Sequence, residues 1–233
     1  SACLVGSEMC IRDSYLCDDG LPIEKSGRFQ KYDKKVSEFL NRDNRMRYTL
    51  LKPGTRYWGN KFGRTSWQWD ETDLKTSKVY DPASGTCYGN QKWSAERVVP
   101  DTQEGYDFPL IRYAEVLLNY AEAAAELASL GETKYVSDGL TYLNDVRDRA
   151  GVEDAPALTV KAVREEMQVE FMYENHRFWD LKRWREADKM MNSVKMKGLY
   201  PYYVANTKKW IFKKTEVGNA CLLYTSPSPR DRQ

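Results

Sequence analysis

Four times in succession between residues 107 and 191, apolar side chains recur at helical spacing and are then stopped by a glycine, a proline or a tight corner. No other feature restricts the fold as strongly. Pro109 suits a first helical turn, where its missing N–H costs nothing, and Leu110, Ala114, Leu117, Leu118 and Ala121 follow on one face up to a stop at Gly131. Val136, Leu140, Leu143 and Val146 form a second stripe ended by Gly151. Pro156 breaks the chain, Thr159 is placed to cap, and Val163, Met167, Glu170 and Phe171 line a third helix. Asn175-His176 makes the corner before Phe178, Leu181 and Trp184 on a fourth. Connections this short make neighbouring helices antiparallel. The region is therefore expected to be two helical hairpins packed side by side, with Ala121, Ala123, Ala124 and Ala125 allowing close approach, and the fold class to be mainly α.

The remainder lacks this regularity. Residues 15–106 read as an irregular, loop-rich segment. Asp18-Asp19-Gly20 and Leu21-Pro22 are turn chemistry, and Asp33 is placed to cap a short helix bearing Val36, Phe39 and Leu40. Met46, Tyr48 and Leu50 alternate with Arg47 and Thr49, the pattern of a short half-buried strand ended by Pro53-Gly54. Residues 192–220 also read as irregular. The strings 1–14 and 221–233 look like translated sequencing-adapter sequence, so residues 15–220 are expected to be an internal piece of a longer protein. Without those ends only Cys17 and Cys87 remain of five cysteines, which allows one disulfide and no metal-ligand spacing.

Composition narrows the function classes. Mean hydropathy is −0.72, and no stretch approaches the roughly 20 apolar residues of a spanning helix. Seven Trp, sixteen Tyr and seven Phe are far too many for a disordered chain. A net charge of +2 from 36 basic and 34 acidic residues is too even for a protein built to capture nucleic acid. Catalytic constellations are missing: there is no Gly-x-Ser-x-Gly and no phosphate-binding glycine loop. The lone His176 stands two residues after Glu174, not in the Glu-x-x-His of a di-iron bundle. Glu166, Glu170 and Glu174 share one helix face, and the expectation is that they pair with arginines such as Arg112, Arg147 or Arg177.

The informative stretch is Tyr57–Trp93. It carries eight aromatics (Tyr57, Trp58, Phe62, Trp67, Trp69, Tyr80, Tyr88 and Trp93), but among Val, Ile, Leu and Met only Leu74 and Val79. A core segment would mix rings with aliphatics at a regular period. Flat rings on polar loops suit ligands with an apolar face and hydrogen-bonding edges, such as sugars or peptides, and also suit protein interfaces. The candidate ligand-binding residues are Tyr57, Trp58, Asn60, Arg64, Trp67, Trp69, Asp70 and Trp93, with Gln68 and Gln91 as further hydrogen-bond formers. The alternative is that the rings pin an irregular loop to the helices.

The run Asp107-Phe108-Pro109-Leu110-Ile111-Arg112-Tyr113-Ala114-Glu115-Val116-Leu117-Leu118-Asn119-Tyr120-Ala121-Glu122-Ala123 closely resembles the C-terminal signature of the SusD/RagB family. So do Val146-Arg147, Arg149-Ala150-Gly151, the glutamates at 166, 170 and 174, and His176-Arg177-Phe178-Trp179-Asp180-Leu181-Lys182-Arg183-Trp184. Asp19-Gly20-Leu21-Pro22-Ile23 and Asn41-Arg42-Asp43 are similar as well. Met167 and Gln168, where the pattern often has Arg, and Asn175, where it often has Gly, depart from it. The resemblance implies a tetratricopeptide-like helical scaffold, although the 34-residue period is not kept. It implies a nutrient-binding lipoprotein on the outer membrane surface of Bacteroidetes-type bacteria, held by an N-terminal lipid anchor outside this stretch. Such proteins capture glycans, or in some cases peptides, for a TonB-dependent SusC-like transporter. No catalysis, cofactor, metal or nucleic acid is implied. Peptide capture, a glycoside hydrolase and a helical interaction scaffold remain the alternatives to glycan binding.

Overall fold

A computed structural model describes residues 14–29, 36–50, 52, 90–92, 109–191, 194–204, 207 and 209–220. Its helices are α1 (Asn44–Thr49), α2 (Tyr113–Ser129), α3 (Val136–Ala150), α4 (Val160–Glu170), α5 (His176–Arg183) and α6 (Ala187–Met191), with a 3-10 turn at Ser37–Phe39. Two strands follow, β1 (Val194–Val204) and β2 (Lys209–Ala220). The fold is mainly helical, as the periodicity requires.

Helix ends follow the local chemistry. The Thr159 hydroxyl accepts from the Ala162 N–H at 3.1 Å and caps α4. Gly131 and Gly151 both take positive φ, 97° and 67°, and the next residue's N–H returns to a carbonyl five positions back, Glu132 to Leu127 and Val152 to Arg147. Asn175 makes the corner before α5 at φ 68°, a conformation asparagine adopts more readily than most residues. Helix α2 starts at Tyr113 rather than near Pro109. Arg112 is extended (φ −113°, ψ 152°) and its side chain is committed to α4 and the turn after it, so Leu110 and Ile111 lie outside the helix and exposed.

The core is the contact of α2 with α3 and α4. Leu117, Leu118, Ala121, Leu143, Val146, Val163, Met167 and Phe171 form one buried cluster. Ala121, Ala124 and Ala125 face it, while Ala123 does not. Close approach of α3 depends on Gly139, where an added Cβ would lie 2.8 Å from both Ala124 Cβ and Leu158 Cδ2. On its outer side α2 carries a second apolar row, Tyr113, Val116, Tyr120, Ala123 and Leu127, which is exposed.

Three expectations are corrected or fall outside the described residues. Residues 44–49 are helical, not a strand: the Asp43 carboxylate accepts from the Arg45 N–H at 2.8 Å, and Met46 and Leu50 are buried while Tyr48 is 62% exposed. Burial of Met46, Thr49 and Leu50 at i, i+3 and i+4 is helical spacing, whereas Met46 and Leu50 alone also satisfy an alternating pattern. Residues 192–220 are not irregular throughout. Strands β1 and β2 pair antiparallel from Val194↔Ala220 to Val204↔Lys209, with a register shift between Met196 and Lys197. Beta-forming side chains on both sides of the short polar run 205–208 supply the signal. Asp33, the expected cap, lies outside the described residues.

Candidate functional site

The eight candidate ligand-binding residues, Tyr57, Trp58, Asn60, Arg64, Trp67, Trp69, Asp70 and Trp93, lie outside the described residues, as does Gln68. The two points from which that stretch departs and returns are described. Leu50 and Asn90 form an isolated antiparallel bridge, and the Gln91 N–H donates to the Thr49 carbonyl at 2.8 Å. The chain therefore leaves Leu50 and comes back to it at Asn90, with seven of the eight aromatics between them in sequence. Asn90 tightens the return through its Oδ1, which accepts from the Lys92 N–H at 2.9 Å. Lys92 then fastens it, donating from Nζ to the Glu170 carbonyl at 3.0 Å and to Glu174 Oε1.

Glu166, Glu170 and Glu174 form the anchor. Helical spacing places Glu166 and Glu170 on one side of α4; Glu174, expected on the same helix face, instead follows in the turn, where Tyr173 takes φ 62°, and guanidinium groups from distant parts of the chain converge on all three. Glu170 receives Arg45 Nη1 at 2.9 Å, Arg112 Nη1 at 2.8 Å and Arg149 Nη2 at 2.5 Å. Glu166 pairs with Arg147 Nη1 at 3.1 Å and Arg45 Nη2 at 2.6 Å. Glu174 takes Arg112 through Nε at 2.9 Å and Nη2 at 2.7 Å. Burial works to raise the Glu170 carboxyl, but the charges of Arg45 and Arg149 and the hydrogen bonds from Arg112 and Arg45 outweigh it and bring the group down to about 2. A carboxyl held there is ionised at neutral pH and cannot act as a general acid. Of the expected partners Arg112 and Arg147 are present, whereas Arg177 is elsewhere. Arg45 and Lys92 are not among the expected partners because nothing local links residues 125 or 78 positions apart, and Arg149, 21 positions from Glu170, is one of two arginines on α3 that sequence does not rank.

A second cluster surrounds Trp184. Its indole N–H donates to Glu122 Oε1, and Glu122 also receives Arg183 through Nη1 and Nη2, each at 2.8 Å. Arg164, Arg183 and Arg177 place their guanidinium carbons 4.6, 5.4 and 5.7 Å from the ring centre. Arg164 bridges Glu126 and Glu186, each at 2.9 Å. Two shallow grooves flank Arg164: one of about 600 Å³ beside Glu122, Ala123 and Trp184, the other of about 360 Å³ beside Lys161, Gln168 and Arg177.

Other chemistry is sparse among the described residues. No three His, Cys, Asp or Glu side chains gather in a metal-binding group. His176 stacks on Phe171 at 4.4 Å, with Glu115 3.8 Å from Nε2, so its ring is held as packing rather than beside a nucleophile. Cys17 is a buried free thiol, pushed up by burial, and Cys87 lies outside the described residues. No described helix is long and apolar enough to cross a membrane.

Comparison with known proteins follows the same lines. The SusD family pattern matches residues 3–220. A SusD-like protein of Bacteroides ovatus is 36% identical over 87 residues, covering 36% of this chain and 15% of its own length. The crystal structure of a SusD-like protein from Bacteroides fragilis superposes with a TM-score of 0.64 at 22% identity, covering 90% of this chain and 40% of that one. A second solved structure, BT4246, gives 0.61 at 24% identity over 81% of this chain and 36% of its own. The chain thus spans well under half the length of the relatives it matches.

Proposed function

The chain belongs to the SusD family, and from that premise we propose that it is part of a cell-surface protein that binds polysaccharide or oligosaccharide for import by a TonB-dependent SusC-like transporter. The protein sits on the extracellular face of the outer membrane, held by a lipid anchor carried outside this stretch, and acts by reversible binding rather than catalysis. Sugar rings stack on Trp58, Trp67 or Trp69, while Asn60, Arg64 and Asp70 fix their orientation through hydrogen bonds; Tyr57 and Trp93 border the site.

The observation that carries this reading is the concentration of eight aromatics among polar residues, seven of them between Leu50 and Asn90, which bridge, and Trp93 just beyond. The glutamates of α4 and the turn after it support the same view, since each is ion-paired and none is left for acid–base work.

The test is a glycan panel probed with the protein and with a triple variant, Trp58→Ala, Trp67→Ala and Trp69→Ala. Loss of three stacking contacts weakens binding by about tenfold or more. Unchanged affinity for every glycan bound refutes the assignment. Binding to peptide pools with none on the panel assigns peptide capture instead, and release of reducing sugar would make the protein an enzyme.

A further inference from the structure

Residues Lys161, Arg164, Glu165 and Gln168 share one face of α4, and with Arg177 of α5 and Glu186 they line the groove of about 360 Å³. That volume lies within the ~300–1,000 Å³ typical of small-ligand sites. Its three cations are unequally satisfied. Arg164 is neutralised by Glu126 and Glu186. Lys161 is largely exposed, and Glu165 stands 3.8 Å away, too far for a hydrogen bond. Arg177 is half-buried and has no ion pair or hydrogen bond among the described residues; its Nε is buried without an acceptor, and so is that of Arg164. The two guanidinium groups repel one another, and burial depresses Arg177 despite the attraction of Asp180 and Glu186. A half-buried guanidinium that no carboxylate contacts, beside a second cation already committed, can still accept a bidentate oxyanion.

We propose that this groove binds the carboxylate or sulfate group of an acidic glycan, with Arg177 as the paired guanidinium and Lys161 as the second positive charge. The planar fork of Arg177 matches two oxygens of either group, and Lys161 reaches the same opening as a mobile point charge. The lining is positive by one charge, Lys161, Arg164 and Arg177 against Glu165 and Glu186, and Glu186 is already ion-paired with Arg164. The proposal rests on glycan capture only for the molecule that carries the anion; the oxyanion chemistry stands on the groove itself.

The test uses sodium sulfate and sodium glucuronate as probes at constant ionic strength, with chloride and glucose as controls, and reads binding by isothermal titration. Both anions should bind while the controls do not. Arg177→Gln should weaken them at least about tenfold, and Lys161→Glu, on a largely exposed side chain that the fold does not need, about threefold or more. If Arg177→Gln does not fold, Lys161→Glu decides alone. Anion binding no tighter than chloride, or affinities unchanged in the folded variants, overturns the proposal. Neutral oligosaccharides titrated in parallel separate the two readings: if they bind wild type and Lys161→Glu equally while the anions fail, glycan capture stands and the anion site falls. If no glycan binds but the anions do, the reverse holds.

Discussion

Glu170→Gln removes the carboxylate on which Arg45, Arg112 and Arg149 converge while keeping the side chain's shape. The native carboxyl is held at about 2, against 4.5 for the free group. Because the folded state binds the proton less tightly than the unfolded chain, protonation favours unfolding. The contribution is therefore complete above about pH 4.5 and is lost as pH falls towards about 2. At about 1.4 kcal/mol per unit, the shift corresponds to roughly 3 kcal/mol at neutral pH. Glu170 is only 3% exposed, so solvent screening does little to reduce that figure. Arg45 keeps Asp43 and Glu166 and Arg112 keeps Glu174, so only the exposed Arg149 loses its ion pair, and the cost stays below the ~3–5 kcal/mol of a buried pair left with one partner. Urea unfolding of wild type and Glu170→Gln, followed by far-UV circular dichroism from about pH 7 down to about pH 3, reads the difference directly. The expected result is a gap of about 3 kcal/mol at neutral pH that narrows to about half near the middle of the window. A gap that stays constant over that range, or widens, would show that the guanidinium groups do not stabilise the charged form, and the account of the anchor would fail.

Three further outcomes follow from the helical packing. Gly139→Ala forces a Cβ to 2.8 Å from Ala124 and Leu158 and should destabilise by about 1–3 kcal/mol in the same unfolding assay; a neutral effect would mean that α3 can withdraw from α2 freely. Thr159→Ala removes the cap on Ala162 and should cost about 1 kcal/mol, whereas Thr159→Ser, which retains the oxygen, should cost less. Asn175→Gly relieves a left-handed residue, φ 68°, and should raise the melting temperature slightly, in contrast to Asn175→Ala, which should lower it.

Helices α2 to α5 are legible in the sequence because their determinants are local: Thr159 caps, Gly131 and Gly151 stop, and Leu143 and Val146 face inward on a helical period. The segment at Met46–Leu50 is not, since two buried residues four apart fit a helix and an alternating strand equally well, and Asp43 decides the matter through a single hydrogen bond. The carboxylate row was legible as a row. Its partners were only half legible, because Arg112 and Arg147 lie in the helical region while Arg45 and Lys92 arrive from the irregular half. The stretch Tyr57–Trp93 is recognisable by composition, but which of its rings meets a ligand is a matter of exposure, and exposure is not written in residue order.

The bridge between Leu50 and Asn90 has an evolutionary consequence. A segment that leaves and re-enters at one point can be lengthened, shortened or replaced without altering the distance its ends must span. For a connection with fixed ends, doubling the length adds only about 0.6 kcal/mol of closure cost. The scaffold requires Leu50 and Asn90 to meet and Lys92 to reach the glutamates. Relatives with the same helices and unrelated insertions at this position would then be one scaffold carrying interchangeable surfaces.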